Sequence, residues 1–474
     1  PFKLRLLVRP FLVEQVHRDD GIWFRVRTDN LQPAQRRELE QAAAAADLQV
    51  WVIRGTYERP GTVTATTANE TLDGPPGRRS EGSAEPDSAS SIGPQAVGAA
   101  EPDAATATGY ADFDLGLQTR TYRQRGMNGQ RRFQPSLSAR LELHRSWDDD
   151  RSSLTFTPFV RIDGNDDERS HADVRELFFT RLGEDWELHL GARQIFWGVT
   201  EFHHLVDIIN QTDLVENIDG EDKLGQPMVQ LSLVRDWGIV DLFAMSGFRE
   251  RTFPGDDGRL RGLPPVDADR ARYSSGAGRS RVDGAIRWSH HFGPVSAGLY
   301  HFSGTSRDPR FAAEIDAGEL VLIPEYHVID QTGFDGQVLL GDWAWKLEAI
   351  ARSGDGPRYH AFTAGFERTL VGAFGSRGDL GLVAEFMYDE RDEDAYNTLF
   401  EHDLAVGTRW RANDMAGTTA LLGVIWDVET QEYVVSLEAS RRLGASWMAV
   451  LEGRVFGGAE PLDGGAEHGG TVRR

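Results

Sequence analysis

Apolar and polar residues alternate along most of this chain from Tyr110 onward. ADFDLGLQTRTY places Phe113, Leu115 and Leu117 on one face, with Asp112, Asp114 and Gln118 on the other. SLSARLELHR sets Leu137, Ala139, Leu141 and Leu143 against Ser138, Arg140, Glu142 and His144. DWAWKLEAIARSG sets Trp343, Trp345, Leu347 and Ala349 against Lys346, Glu348 and Arg352, and HDLAVGTRWR sets Leu404, Val406 and Trp410 against Asp403, Arg409 and Arg411. YVVSLEASRR and WMAVLEGRVF continue the pattern. Alternation with period two predicts strands with one apolar and one polar face. About 17 such segments can be counted, each about 9–13 residues long, the length a tilted membrane strand needs. Their connections alternate too: SWDDDRS, LGEDW, VRDWG, HFGPV, GDW and LGASW are tight, while residues 248–280 and 303–326 are long and polar. Trp147, Trp186, Trp237, Trp343 and Trp447 stand in or beside the tight turns, where an interfacial aromatic girdle belongs.

One stretch breaks the period. In RQIFWGVTEFHHLVDIINQTD, residues 193–213, the apolar residues Phe202, Leu205, Val206 and Ile209 fall at i, i+3, i+4 and i+7. That spacing predicts a short amphipathic helix, capped by Thr200 and ending near Asn210, inside a long connection over 197–226.

Composition narrows the options. The 474 residues include 51 Gly and carry a net charge of −23, which argues against nucleic-acid phosphates and against an anionic membrane surface as partners. There is no cysteine, so disulfides, thiolate nucleophiles and thiolate metal sites are excluded. No run approaches the 18 or more apolar residues of a membrane helix. The mean hydropathy of −0.43 does not weigh against a barrel, whose strands show only alternate residues to lipid. A soluble β-sandwich of this length would divide into domains at a second linker, and propeller blades would repeat at about 40–50 residues; the chain has neither feature. The expected fold is mainly β: a large antiparallel transmembrane β-barrel with a small N-terminal α+β module.

Three zones follow. Residues 1–55 read as the α+β module, with two strands around Asp19-Asp20-Gly21, a helix in PAQRRELEQAAAAA and a strand in DLQVWVIRG. Residues 56–108, rich in Pro, Gly, Ser, Thr and Ala, read as a disordered linker. Residues 109–474 are the barrel. With alternate apolar residues facing lipid, Asp112, Arg140, Glu142, Arg161, Glu187, Arg193, Asp283, Arg287, Lys346, Glu348, Arg409, Glu438 and Arg454 are expected to face the lumen. Such a lumen is too wide for side chains to fill, so it holds water or a plug. Its mixed signs speak against a strongly one-signed pore.

FWGVTEFHHLVDIINQTDLVENIDGEDKLGQPMVQLSLVRDWGIVDLFAM and FRERTFPG, with IDQTGFDGQVLLGDWAWKLEAIAR, AGFERTLVG, DLGLVAEFMYDER and SLEASRRLG, resemble a family of uncharacterised outer-membrane β-barrel proteins of Gram-negative bacteria. The resemblance covers most of residues 110–456. It implies a porin-like fold and an outer-membrane location but no substrate. Such barrels usually end in an aromatic-terminated strand, whereas this chain ends GGAEHGGTVRR. The last strand is therefore expected to be missing, and restoring it would give about 18. Residues 1–55, through WFRVRTDNL and VWVIRG, resemble the second half of a SPOR domain, a periplasmic peptidoglycan-binding module. That resemblance implies peptidoglycan glycan strands as a partner through unspecified residues, with truncation upstream of Pro1; another small α+β periplasmic module stays open as the alternative.

The connection over 197–226 is the candidate site. Folded inward, its helix should bury the Phe202-Leu205-Val206-Ile209 face against the barrel wall and turn His203, His204, Asp207 and Asn210 to the lumen or other loops; Phe202, His203, His204, Asp207, Asn210, Glu216 and Asp219 are the expected constriction residues. The alternative is a loop that packs over the barrel mouth. His203, His204 and Asp207 make a weak metal set, because adjacent side chains on a helix diverge by about 100°. NIDGEDK (Asn217, Asp219, Glu221, Asp222) offers oxygen ligands around a Gly turn but lacks EF-hand spacing. No G-x-S-x-G, H-E-x-x-H or P-loop is present, and pairs such as Glu201 with His203 or His204 are expected of any acidic chain with 13 His. The expectation is a non-enzymatic channel for small hydrophilic solutes without cofactor or metal, tethered to the cell wall. A non-conducting structural barrel, or an export or assembly component, is the alternative.

Overall fold

The computed structural model describes the backbone of residues 2–7, 12–18 and 21–27, and residues 108–458 except 127, 263, 317 and 392–399. The helix and third strand expected near the N-terminus and the linker lie outside the described residues. β1 spans Phe2–Leu7, and β2 (Leu12–Arg18) and β3 (Gly21–Arg27) pair antiparallel, Arg18 opposite Gly21.

The large sheet starts with β4 (Thr108–Thr121), β5 (Phe133–Trp147), β6 (Ser152–Asp163), β7 (His171–Leu182), β8 (Trp186–Arg193), β9 (Gln226–Arg235) and β10 (Gly238–Met245). A two-residue β11 (Arg272–Tyr273) intervenes before β12 (Asp283–Phe292) and β13 (Val295–Thr305). Outside the large sheet, β14 (Arg310–Asp316) and β15 (Glu319–Tyr326) form a hairpin that takes up β11 as a third strand. The large sheet resumes with β16 (Val328–Leu340), β17 (Trp343–Ser353), β18 (Tyr359–Leu370), β19 (Asp379–Asp389), β20 (His402–Arg411), β21 (Thr419–Asp427), β22 (Tyr433–Leu443) and β23 (Trp447–Gly457). From β4 to β23 this makes 17 strands, each antiparallel to its neighbours. The edge strands β4 and β23 are not paired with one another. β1 pairs antiparallel with both, Leu4 standing opposite Thr119 on one side and Leu451 on the other.

Side-chain exposure follows the sequence alternation. Phe113 (51%), Leu117 (52%), Ile162 (63%) and Leu299 (50%) are exposed on the outward face, as a lipid-facing surface requires. The intervening inward positions are polar and shielded, among them Asp114, Gln118, Ser136 and Ser138. Along most of the sheet, backbone donors and acceptors are satisfied between strands, which is what permits a sheet to cross hydrocarbon. The shortest turns lie at one end, with Trp147, Trp186, Trp343 and Trp447 at the adjoining strand termini and Trp237 within a turn. The longest connections gather at the other end. Residues 303–326, expected as a polar loop, instead contain the β14–β15 hairpin, whose Glu314 bridges Arg270 and Arg272.

Candidate functional site

The connection from β8 to β9, residues 194–225, does not cover the barrel mouth. It crosses the interior. Asn210 fixes its base: the side-chain oxygen accepts the Ile195 N–H (2.7 Å), and the amide nitrogen donates to the carbonyls of Arg193 (2.7 Å) and Leu224 (2.8 Å). This buried residue therefore holds the loop's two ends together rather than lining a passage.

The tip reaches the far wall at mid-height. Glu348, fully buried in the middle of β17, accepts N–H donations from Val199 (2.7 Å), Thr200 (2.9 Å) and Val206 (3.1 Å), and the Thr200 hydroxyl donates to it at 2.6 Å. Glu385 on β19 accepts from the backbone of Glu201 (2.7 Å) and Phe202 (3.0 Å). The Glu201 carboxylate pairs with Arg409 on β20, so it is not the acid–base partner of a histidine. The Phe202 ring lies on Gly407 and Gly423 of β20 and β21, where a Cβ at 407 would come within 2.7 Å of its Cζ. Only glycine gives the ring that seat.

The predicted helix is absent, and the four residues of its apolar face separate. Val206 and Ile209, with Ile208, join Trp197, Phe243, Met245, Tyr300 and Phe302 in a buried apolar cluster on the β9–β18 side of the interior. Phe202 goes to the opposite wall. The reason is local: the Val206 N–H, which a helix would direct to the Phe202 carbonyl, goes to Glu348 instead, so the i→i−4 ladder is replaced by bonds to the wall.

The returning half of the loop is held by arginines on the near wall. Arg161 of β6 grips Glu216 with two bonds of 2.5 and 2.6 Å, and Arg120 of β4 donates to the Glu216 carbonyl. Arg175 of β7 pairs with Asp213 at 2.6 Å, while Arg169 donates to the Val215 carbonyl at 2.7 Å. Arg454 of β23 reaches Asp219 (2.9 Å) and Asn217 (3.3 Å), which occupies the oxygens of the weak calcium-like turn. Burial would raise the Glu216 carboxyl, but the charges of Arg161, Arg169 and Arg175 and the bonds from Arg161 outweigh it and hold the group well below the usual carboxylate range.

The two histidines diverge, His203 against Phe400 (5.0 Å between centroids) and His204 against Phe196 (4.8 Å), and do not converge on one ion. Burial pushes the His203 imidazole down to about 4, outweighing the upward pull of Glu348. Asp207 pairs with Lys223 of the same loop at 3.1 Å.

The strand charges sort by what fills the bore beside them. Arg161, Asp283, Arg287 and Glu348 are buried, Arg287 in a two-bond pair with Asp335 and Asp283 beside Arg307. Arg140 and Glu142 (3.7 Å apart) and Glu187, which lies 3.5 Å from His189, keep partly exposed side chains. Asp112 lies opposite Glu142 in the strand register. Arg193 stacks over Phe178, Lys346 pairs with Glu367, and Glu438 pairs with Arg454. Sequence reasoning missed Glu385, Arg120, Arg175, Asp213 and the apolar cluster. For the cluster a signal existed: in VDLFAM and LYHF apolar residues occupy consecutive positions, which marks a strand covered on both faces.

No protein-family model matches the chain, and no curated protein matches it in sequence. Solved structures similar to it include OmpT, an outer membrane protein of Vibrio cholerae, at 10% identity and a TM-score of 0.37, with 75% of this chain and 99% of that one covered. OpdO of Pseudomonas aeruginosa matches at 10% identity and a TM-score of 0.39, covering 73% of this chain and 95% of that one.

Proposed function

We propose that this protein is an outer-membrane channel for small hydrophilic solutes, with residues 194–225 as its constriction. The observation that carries the reading is the loop's course: it leaves the wall between β8 and β9, is gripped at mid-height by Glu348 and Glu385, and seats Phe202 on β20 and β21. A segment held by that many charge-assisted bonds sets the bore instead of drifting through it. Partly exposed Arg140, Glu142, Glu187 and Glu438 supply a polar wall of both signs, suited to hydrated solutes without strong charge selection. Short turns at the periplasmic end and long loops at the outer end fit the barrel layout. In this reading residues 12–55, which follow the strand held between β4 and β23, serve as a cell-wall tether.

A second reading has its own support. The apolar cluster around Trp197, Phe243 and Phe302 fills one side of the interior, as a plugged structural barrel would need. Single-channel conductance of the full chain in planar bilayers, with and without residues 199–222, separates the two. A channel gives stable openings that enlarge on deletion. Silence from well-folded protein in both forms overturns the channel and favours the tether.

A further inference from the structure

The outward wall departs from a smooth cylinder at one place. β8 ends at Arg193, so it pairs only with Leu177–Leu182 of β7, and the upper half of β7 has no partner from that side. Beside it, the β6–β7 register shifts at Thr157/Pro158. The result is a groove of about 640 Å³ on the lipid side, where the small residues Ala139, Pro158, Ala172 and Pro227 lie between the exposed flanks Phe113 and Val174.

A second hollow, of about 350 Å³, opens on the same strands toward the long-loop end. Arg125, Arg131 and Arg132 line it together with Phe133 and Pro135. Arg132 donates to the Tyr122 carbonyl (3.1 Å) and Arg131 to the Asn165 side chain at 3.5 Å. Among the described residues no carboxylate neutralises any of the three. On a chain of net charge −23, three unneutralised arginines at one spot mark a place that is complementary to an anion.

Pro135 and Ala139 connect the two hollows along β5. Four residues of strand separate them, about 13 Å, so a charged group in the upper hollow and a hydrocarbon chain in the lower can belong to one molecule. We infer that these hollows are the headgroup and chain halves of a single binding site for a phosphate-bearing lipid of the outer leaflet. The phosphate sits among Arg125, Arg131 and Arg132, each of which can offer a fork of N–H donors, and an acyl chain lies over Ala139 and Pro158. Lipid is the occupant because the groove opens on the barrel's hydrocarbon-facing side, where no soluble ligand competes. The site rests on the transmembrane barrel and not on conduction.

The test uses the full chain in detergent, with native mass spectrometry against three probes: lipid A, its dephosphorylated form and inorganic phosphate. The arginine triple variant (Arg125→Gln, Arg131→Gln, Arg132→Gln) and the groove-filling Ala139→Phe are compared with wild type. The three arginines are exposed and Ala139 is half-buried in the groove, so unboiled gel mobility checks that each barrel is folded. Wild type should hold one lipid A far more tightly than the dephosphorylated lipid. The triple variant should bind it about a hundredfold more weakly, each surface arginine contributing roughly a factor of five, and Ala139→Phe should also weaken it. Equal binding by the triple variant overturns the proposal. So does displacement by inorganic phosphate combined with indifference to Ala139→Phe, which would leave only a basic cup for free anions.

Discussion

Glu348 shows how much one side chain organises. Three backbone N–H groups and a hydroxyl converge on its carboxylate, and neutralising it brings an amide donor against donors. Hydrogen bonds to a charged group contribute about 1.5–3 kcal/mol each, so Glu348→Gln should release the loop tip by roughly 3 kcal/mol. Limited proteolysis within 199–222 should then run about a hundredfold faster; an unchanged cleavage rate would mean the tip is held elsewhere. Alternation alone places Glu348 and Glu385 on the inner face. It does not reveal their partners, since the Val199 N–H lies 149 residues away along the chain. A carboxylate that binds backbone leaves no mark in the partner's residue types, and this is why Glu385 escaped notice. Arg161 and Glu216 differ in that both side chains carry charge, so only their pairing was hidden. Arg161→Ala should destabilise the loop by about 3–5 kcal/mol, because it strands a buried carboxylate. Adding Glu216→Gln should recover part of that loss, which a double-mutant cycle on thermal unfolding would measure.

At the scale of elements, strands were legible and the conformation of the loop between β8 and β9 was not. Period two survives folding because lipid and lumen impose it on every strand. The i, i+3, i+4, i+7 pattern of Phe202, Leu205, Val206 and Ile209 has the same arithmetic as a helix face, but here two walls of one cavity claim its members separately. The loop's ionisable groups fix its response to acid. Glu216, held far below its ordinary value, contributes docking stability that is complete above about pH 4.5 and fades only as pH falls through its depressed value. His203 acts in a different window. Docked it resists protonation down to about 4, while released it takes a proton near 6.5, so docking is undiminished above 6.5 and weakens as pH falls from there toward 4. Loop cleavage should therefore accelerate between pH 7 and pH 5, and His203→Gln should flatten that rise. A slope that survives the substitution would assign the response to another group.

For the whole molecule, the 17 strands from Thr108 to Gly457 bond to their neighbours in one continuous sheet, with β1 between its two edge strands, independently of what lies inside. Deleting residues 199–222 should accordingly leave a barrel that keeps its compact mobility on unboiled gels. It would also wet Phe243, Met245, Tyr300 and Phe302, now packed under the loop, and should melt at a lower temperature than wild type. Loss of the compact band would show instead that the loop is needed for the strands to assemble.

The course of that loop has a mechanical consequence. A thin-walled tube embedded in a bilayer is squeezed from the side, and its easiest deformation is to flatten into an oval. Here a strut joins the wall at β8 and β9 to the facing wall at β20 and β21, with its return arm riveted at β4, β6 and β23. The diameter is then set by the length of the strut, and membrane tension is borne by the same carboxylates and guanidinium groups that hold the loop in place.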